Sequence, residues 1–142
     1  MTFDFGSSTA LDEIYIWNVS EATAQGRRVN TYNIYYADTP TVAPASGNGN
    51  AAASVDYDFS SGGWTQLGAT RSLLQWANGT GADGQETLGV SAQYIGLEFI
   101  TYGGDASRVG LNEVVFTQVP EPGSLALLGL GGLMMIKRRR RA

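Results

Sequence analysis

Residues 94–101 read YIGLEFIT, and the alternation within them sets the fold class. In an extended strand successive side chains point to opposite faces, so Ile95, Leu97 and Phe99 share one apolar face. The same reading extends in both directions along the chain. Leu111 to Phe116 supplies a last strand with Val114 and Phe116 on one face, and Val55, Tyr57 and Phe59 alternate with Asp56 and Asp58. Val29 to Tyr36 places Tyr32, Ile34 and Tyr36 together with Asn30. Ile14-Tyr15-Ile16-Trp17 is apolar on both faces, which predicts a central strand covered on both sides, and Asn18 ends the run.

Between these runs lie Gly, Asn, Asp, Ser and Pro clusters of the kind that make turns. Thr39 to Ser54 is one such stretch, and Asn78 to Gly84 reads NGTGADG. No long helical period and no internal repeat is evident. Short strands with polar connections predict an all-β fold, an antiparallel β-sandwich or jelly roll that buries one face of each sheet against the other. A chain of 142 residues accommodates one such domain over 1–118 and an appendage over 119–142.

Composition removes several chemistries. The chain has no cysteine, which excludes disulfides, thiolate nucleophiles and Cys-ligated metals. It has no histidine, the commonest general base and transition-metal ligand. Five of the nine basic residues fall in the last six positions, while residues 1–118 carry twelve carboxylates against four arginines. So acidic a body repels nucleic acid, and no nucleic-acid partner is expected.

The last two dozen residues read VPEPGSLALLGLGGLMMIKRRRRA. Val119, Pro120, Glu121 and Pro122 form an extended element, because proline disfavours regular structure in itself and in the residue before it. An apolar run follows, carried by Leu125, Leu127, Leu128, Leu130, Leu133 and Ile136, and a basic stop closes it at Lys137, Arg138, Arg139, Arg140 and Arg141. As a short C-terminal helix, Gly123 to Ile136 would span about 21 Å at about 1.5 Å per residue. That is short of the ~30 Å hydrocarbon core, so a transient inner-membrane insertion is expected rather than a permanent anchor. The terminal cations keep that end cytoplasmic and the preceding domain outside.

This tail resembles the PEP-CTERM sorting signal in the order of its three parts. The resemblance implies recognition by an exosortase, a membrane transpeptidase acting near the Pro-Glu-Pro element. It also implies export to the surface or extracellular matrix of a Gram-negative bacterium, where extracellular polysaccharide is a partner. An ordinary tail anchor, or a buried apolar helix with a solvated basic end, is the plainer reading of the same residues.

The body also resembles a known family. FDFGSSTALDEIYIWN, GRRVNTYNIYYAD, GGWTQLG and AQYIGLEFITYGGDASRVGLNEVVF occur in that order, and they resemble the discoidin, or coagulation factor 5/8 type C, domains of the galactose-binding-like superfamily. Asn18, Arg28, Trp64 and Glu113 match family positions that tie strand ends and loops together. The resemblance implies a module that binds glycans or other surface ligands through loops at one end of a sandwich.

Sugar recognition needs flat aromatic faces and polar hydrogen-bonding groups. Trp76, Trp64 and Tyr102 are the candidate stacking faces, with Asn78, Asp83 and Asp105 as polar contacts in Gly-rich loops. The alternative is that these aromatics fill the core and the aspartates cap turns. Calcium could use Asp83, Asp105 or the Asp56/Asp58 pair, although no consensus loop spacing supports it, and no cofactor or metal is assigned. No catalytic residue is assigned either. An enzyme would have to rely on carboxylates such as Glu98 and Glu113 in glycoside hydrolysis. A third reading is a structural matrix component with no small ligand.

The discoidin-like pattern normally has further strands before the Phe-Asp-Leu-Gly-like element, and an exported chain begins with a secretory signal; here Phe3 nearly opens the sequence. Both are accounted for if Met1 is an internal methionine of a longer protein. Coding sequence is therefore expected to continue in frame upstream of Met1, and a genomic read with an immediate in-frame stop there would refute this.

Overall fold

The computed structural model of the chain describes residues 1–44, 57–75, 81–105 and 108–120. Six strands form one antiparallel sheet: β1 (Thr2–Asn18), β2 (Val29–Ala37), β3 (Thr65–Gln66), β4 (Arg71–Ser72), β5 (Gly84–Tyr102) and β6 (Leu111–Gln118). The strand order is β3-β2-β5-β1-β6, with β4 also on β2. Short 3-10 turns occupy Ala22–Arg27 and Phe59–Ser61. The all-β, antiparallel expectation is met, and Ile14 to Trp17 is central in the sheet, between β5 and β6, but only its Ile14 and Ile16 face is covered by a second layer.

The sheet folds back on itself because its two longest strands bend. Straight, the 19 residues of β5 would reach about 60 Å. Yet Asp83, just before β5, bonds the backbone of Asn18, while Tyr102 at its far end pairs with Val29, and Asn18 joins Val29 directly. The bend falls at Gln93, whose N–H leaves the ladder for Asp38 Oδ1 at 2.9 Å. Before it β5 pairs with β1 alone; after it β5 pairs with β2 on one side, while Tyr94 to Gly96 also pair with the start of β1 on the other. In β1 the matching irregularity is a register shift between Asp4 and Thr9, and opposite Asp12 β5 itself bulges, with two residues, Leu88 and Gly89, facing one. Gly89 there has φ +58°, a left-handed conformation that glycine adopts without a Cβ penalty.

Between the two layers lies one core. Leu11, Ile14, Ile16, Leu88 and Ala92 meet Val29, Tyr32, Ile34, Ile95 and Leu97, all essentially buried. Tyr32 crosses the core from β2, so that its hydroxyl lies beside Gly84 at the start of β5. Phe3 and Phe5 of β1 pack edge-on against Phe116 of β6 at 5.0 and 5.1 Å between ring centroids. On the outer face of β1, Tyr15 and Trp17 are half-buried by each other, near-parallel at 6.4 Å. No second layer is needed to explain their apolar character.

The structure corrects one strand. Tyr57 and Asp58 are not in a strand, and Val55 and Asp56 lie outside the described residues. Asp58 Oδ1 instead accepts from Ser60 N at 2.8 Å and starts the 3-10 turn. Hydrogen bonding from Ser60, from its side chain first and then from this N–H, holds the Asp58 carboxyl below the usual range. Phe59 then lies flat on Tyr35, 4.7 Å away at 6°, over Gly96, where any side chain would overlap its ring. Gly62 and Gly63, both at positive φ, let the chain pass under Thr39 to Thr41 before Trp64. The indole is half-buried, contacts Phe59, Tyr57 and Tyr94, and donates to Tyr57 Oη at 2.9 Å. Trp64, a candidate stacking face, is thus engaged in packing with these aromatics. The expected C-terminal helix lies outside the described residues.

Burial pushes the Tyr32 phenol up to about 12, and among the described residues its hydroxyl has no hydrogen-bond partner. An unfolded tyrosine ionises near pH 10, so between about pH 10 and 12 only the unfolded chain sheds this proton. Stability should then fall by about 2 to 3 kcal/mol over that window, with little change from this group below it. The body has no lysine to obscure the effect. Urea unfolding at a series of alkaline pH values should show this limb flattened in Tyr32→Phe; an identical slope in that variant would disprove the assignment.

Candidate functional site

One end of the body is built around Asn18, which is fully buried. Its Nδ2 donates to Val29 O at 2.8 Å and Leu74 O at 3.3 Å, and its Oδ1 accepts from Val29 N at 3.0 Å and Val19 N at 3.1 Å. An amide side chain offers two donor protons and two lone pairs, so this one is fully used. Its backbone N–H is taken by Asp83 Oδ2 at 2.8 Å, and Asp83 N in turn donates to Ile16 O. Arg28 adds a bond from Nε to Val19 O at 2.9 Å. These contacts tie the end of β1 to the start of β2 and to the segments around Leu74 and Asp83.

Loops mounted on this hub carry the exposed groups. Gly103 N donates to Arg28 O, Asp105 N to Gly26 O and Gly110 N to Arg27 O, which fastens the segment after β5 to the turn before β2. Gly103 lies so close to Gly26 that a side chain there would collide with Gln25 O. Arg27 Nε pairs with Asp105 Oδ2 at 3.1 Å, and Asp105 Oδ1 accepts from Arg108 N.

Of the sequence-predicted contacts, Asp83, Tyr102 and Asp105 thus meet at the same end, although β5 separates the first from the other two. Trp76 and Asn78 lie outside the described residues. Asp83 is 5% exposed and turned inward, a strut rather than a free ligand. Tyr102 is 45% exposed. Sequence reasoning missed two exposed apolar neighbours, Leu74 and Val109, and the cation Arg27. In Leu73-Leu74 one leucine is buried and the other is not, and composition gives no way to tell which.

The remaining carboxylates lie elsewhere. Glu98 Oε2 accepts from Asn33 Nδ2 at 2.9 Å and Tyr35 Oη at 3.0 Å on the outer face of β2 and β5. Glu113 pairs in register with Trp17 on β6, so it and Glu98 belong to different strand pairs. Among the described residues no group of three or more acidic side chains is placed to hold a metal. Nor does any described helix have the length and apolarity to cross a membrane.

At the opposite end of β6 the chain leaves the sheet. Gln118 still pairs with Leu11, and Val119 N donates to Ala10 O at 3.0 Å. Pro120 is exposed, and Glu121 through Ala142 lie outside the described residues.

Residues 118–141 match the PEP-CTERM protein-sorting motif. The motif implies an exported protein of Gram-negative bacteria that is processed by an exosortase. No curated protein and no solved structure matches the chain.

The two aspartates of the loop end should respond differently to removal. Asp83→Ala strands the buried Asn18 N–H and should cost about 1 to 3 kcal/mol. Asp105→Ala breaks a partly exposed ion pair and should cost about 1 kcal/mol or less. Chemical denaturation of both variants checks this, and equal losses would contradict the placement of Asp83.

Proposed function

We propose that this chain is a non-enzymatic binding module displayed outside the cell, with a discoidin-like, jelly-roll body that takes a glycan or other surface ligand at its loop end. The tail acts as its address, entering the inner membrane transiently before exosortase processing, and extracellular polysaccharide is the partner class. One observation carries the reading. The loop end and the sorting tail lie at opposite ends of β6, whose eight residues span about 24 Å.

A body held by its tail would therefore present Tyr102, Leu74 and Val109 away from the membrane, beside the Arg27–Asp105 pair. Exposed apolar side chains rimmed by polar groups are a feature of recognition surfaces. They stand on a hub whose hydrogen bonds are satisfied, so little ordering cost falls on binding. Tyr102 is well suited to stack on the apolar face of a sugar ring.

A second reading, a structural matrix component with no small ligand, is favoured by the internal use of Asp83 and Asp105. The two are separated by a glycan array probed with the processed protein recovered from its host, with and without calcium. Selective binding is expected, reduced at least tenfold in Tyr102→Ala with the melting temperature unchanged. A folded protein that binds nothing in either condition would favour the matrix reading.

A further inference from the structure

The sorting motif and the folded body overlap. The matched segment begins at Gln118, which is the last residue of β6 and is paired with Leu11. Val119, the first residue of the Val-Pro-Glu-Pro element, makes one more rung through its N–H to Ala10 O. Only alternate residues of an edge strand face its neighbour, so Pro120, which has no N–H, takes the outward-facing position after this rung, where proline removes no ladder bond. Proline also holds the residue before it in the extended region, the conformation Val119 needs to stay in the sheet. The motif that addresses the protein thus begins inside its last strand.

An enzyme that processes an extended segment commonly grips it through main-chain hydrogen bonds, as an added strand is gripped. Here the inner edge of the main chain on the body side of Pro120, Val119 N–H included, is already spent on β1, and among the described residues only the outer edge of β6 is open. Thr117 is tied as well, its Oγ1 accepting from Glu13 N at 3.0 Å. Further back the strand is anchored by packing, because Phe116 is held edge-on by Phe3 and Phe5. Gln118 and Val119 are exposed and bury nothing comparable. Strand ends with exposed hydrogen bonds and few apolar contacts open at low cost, whereas packed segments do not.

We infer that local release of Thr117 to Val119 from β1, stopping at the Phe116 anchor, is a required step before the tail is processed. Released, these three residues give about 10 Å of free main chain. The folded body then controls how often its own tail is presented. This rests on the exosortase reading of the tail.

The absence of cysteine makes the test clean. Ala10→Cys with Val119→Cys, opposite each other across β1 and β6, can be joined by a disulfide in the full-length protein, and tail removal followed in host membrane vesicles. The oxidised, cross-linked chain should be processed at least tenfold more slowly than Val119→Cys alone, with the rate restored by a thiol reductant. A Gly/Ser spacer of about six residues between Gln118 and Val119 should be processed at least as fast as the unmodified chain. Cross-linked protein processed at the unmodified rate, or a spacer variant processed more slowly, would overturn the inference. If the unmodified chain is never shortened in vesicles that contain the exosortase, the processing reading itself falls, and the inference with it.

Discussion

The side chain of Asn18 is the bond on which the rest of the body depends. A strand that simply ended at residue 18 would leave the start of β2, the segment around Leu74 and the approach to β5 as separate pieces. Asn18 holds the first two through its amide, and its backbone N–H holds the third through Asp83. In a buried site each of those groups would otherwise lack a partner, and an unsatisfied buried polar group costs far more than a hydrogen bond returns. The hub is therefore closer to all-or-none than a set of surface contacts would be, and it makes the loop end a rigid platform.

With that end closed, the long strands must bend, and the sequence accommodates it at defined places. In β5 the inward side chains are Leu88, Val90 and Ala92 before the bend and Ile95, Leu97 and Phe99 after it. The even-numbered set gives way to the odd-numbered one at Gln93 and Tyr94. In β1 the change from Phe3, Phe5 and Leu11 to Ile14 and Ile16 falls at Asp12 and Glu13, where β1 carries one residue more than the facing β6. A slip of one residue in a strand exchanges its faces, so these shifts keep apolar side chains inside through the turn of the sheet. The outcome is a single sheet folded into two layers, in place of two sheets that meet only through side chains.

The resulting molecule is polar along β6. One terminus of that strand enters the Asn18 platform, and the other runs without a spacer into the sorting motif. Charge follows the same division, with an acidic body and a basic last few residues. Such a body resists association with anionic surfaces.

The sequence by itself determined the all-β character, because alternation with period two is a local property that each of Val29 to Tyr36, Tyr94 to Thr101 and Leu111 to Phe116 displays unaided. It determined the sorting tail for a similar reason, since proline geometry, apolar length and terminal charge act within the segment that carries them. It misjudged Tyr57 and Phe59, whose alternation is equally good but yields to Asp58 capturing Ser60 N and to the glycine pair that follows. It missed the first half of β5, where Gly, Gln, Glu, Thr and Ser dilute the signal and a bulge at Gly89 interrupts it. Only the tertiary structure decided that Asp83 is a strut while Tyr102 is exposed, and that both stand at one end of the molecule. Those facts depend on a 19-residue strand bending to bring its own termini together, and no pattern local to the chain records which distant backbone group a buried carboxylate will meet.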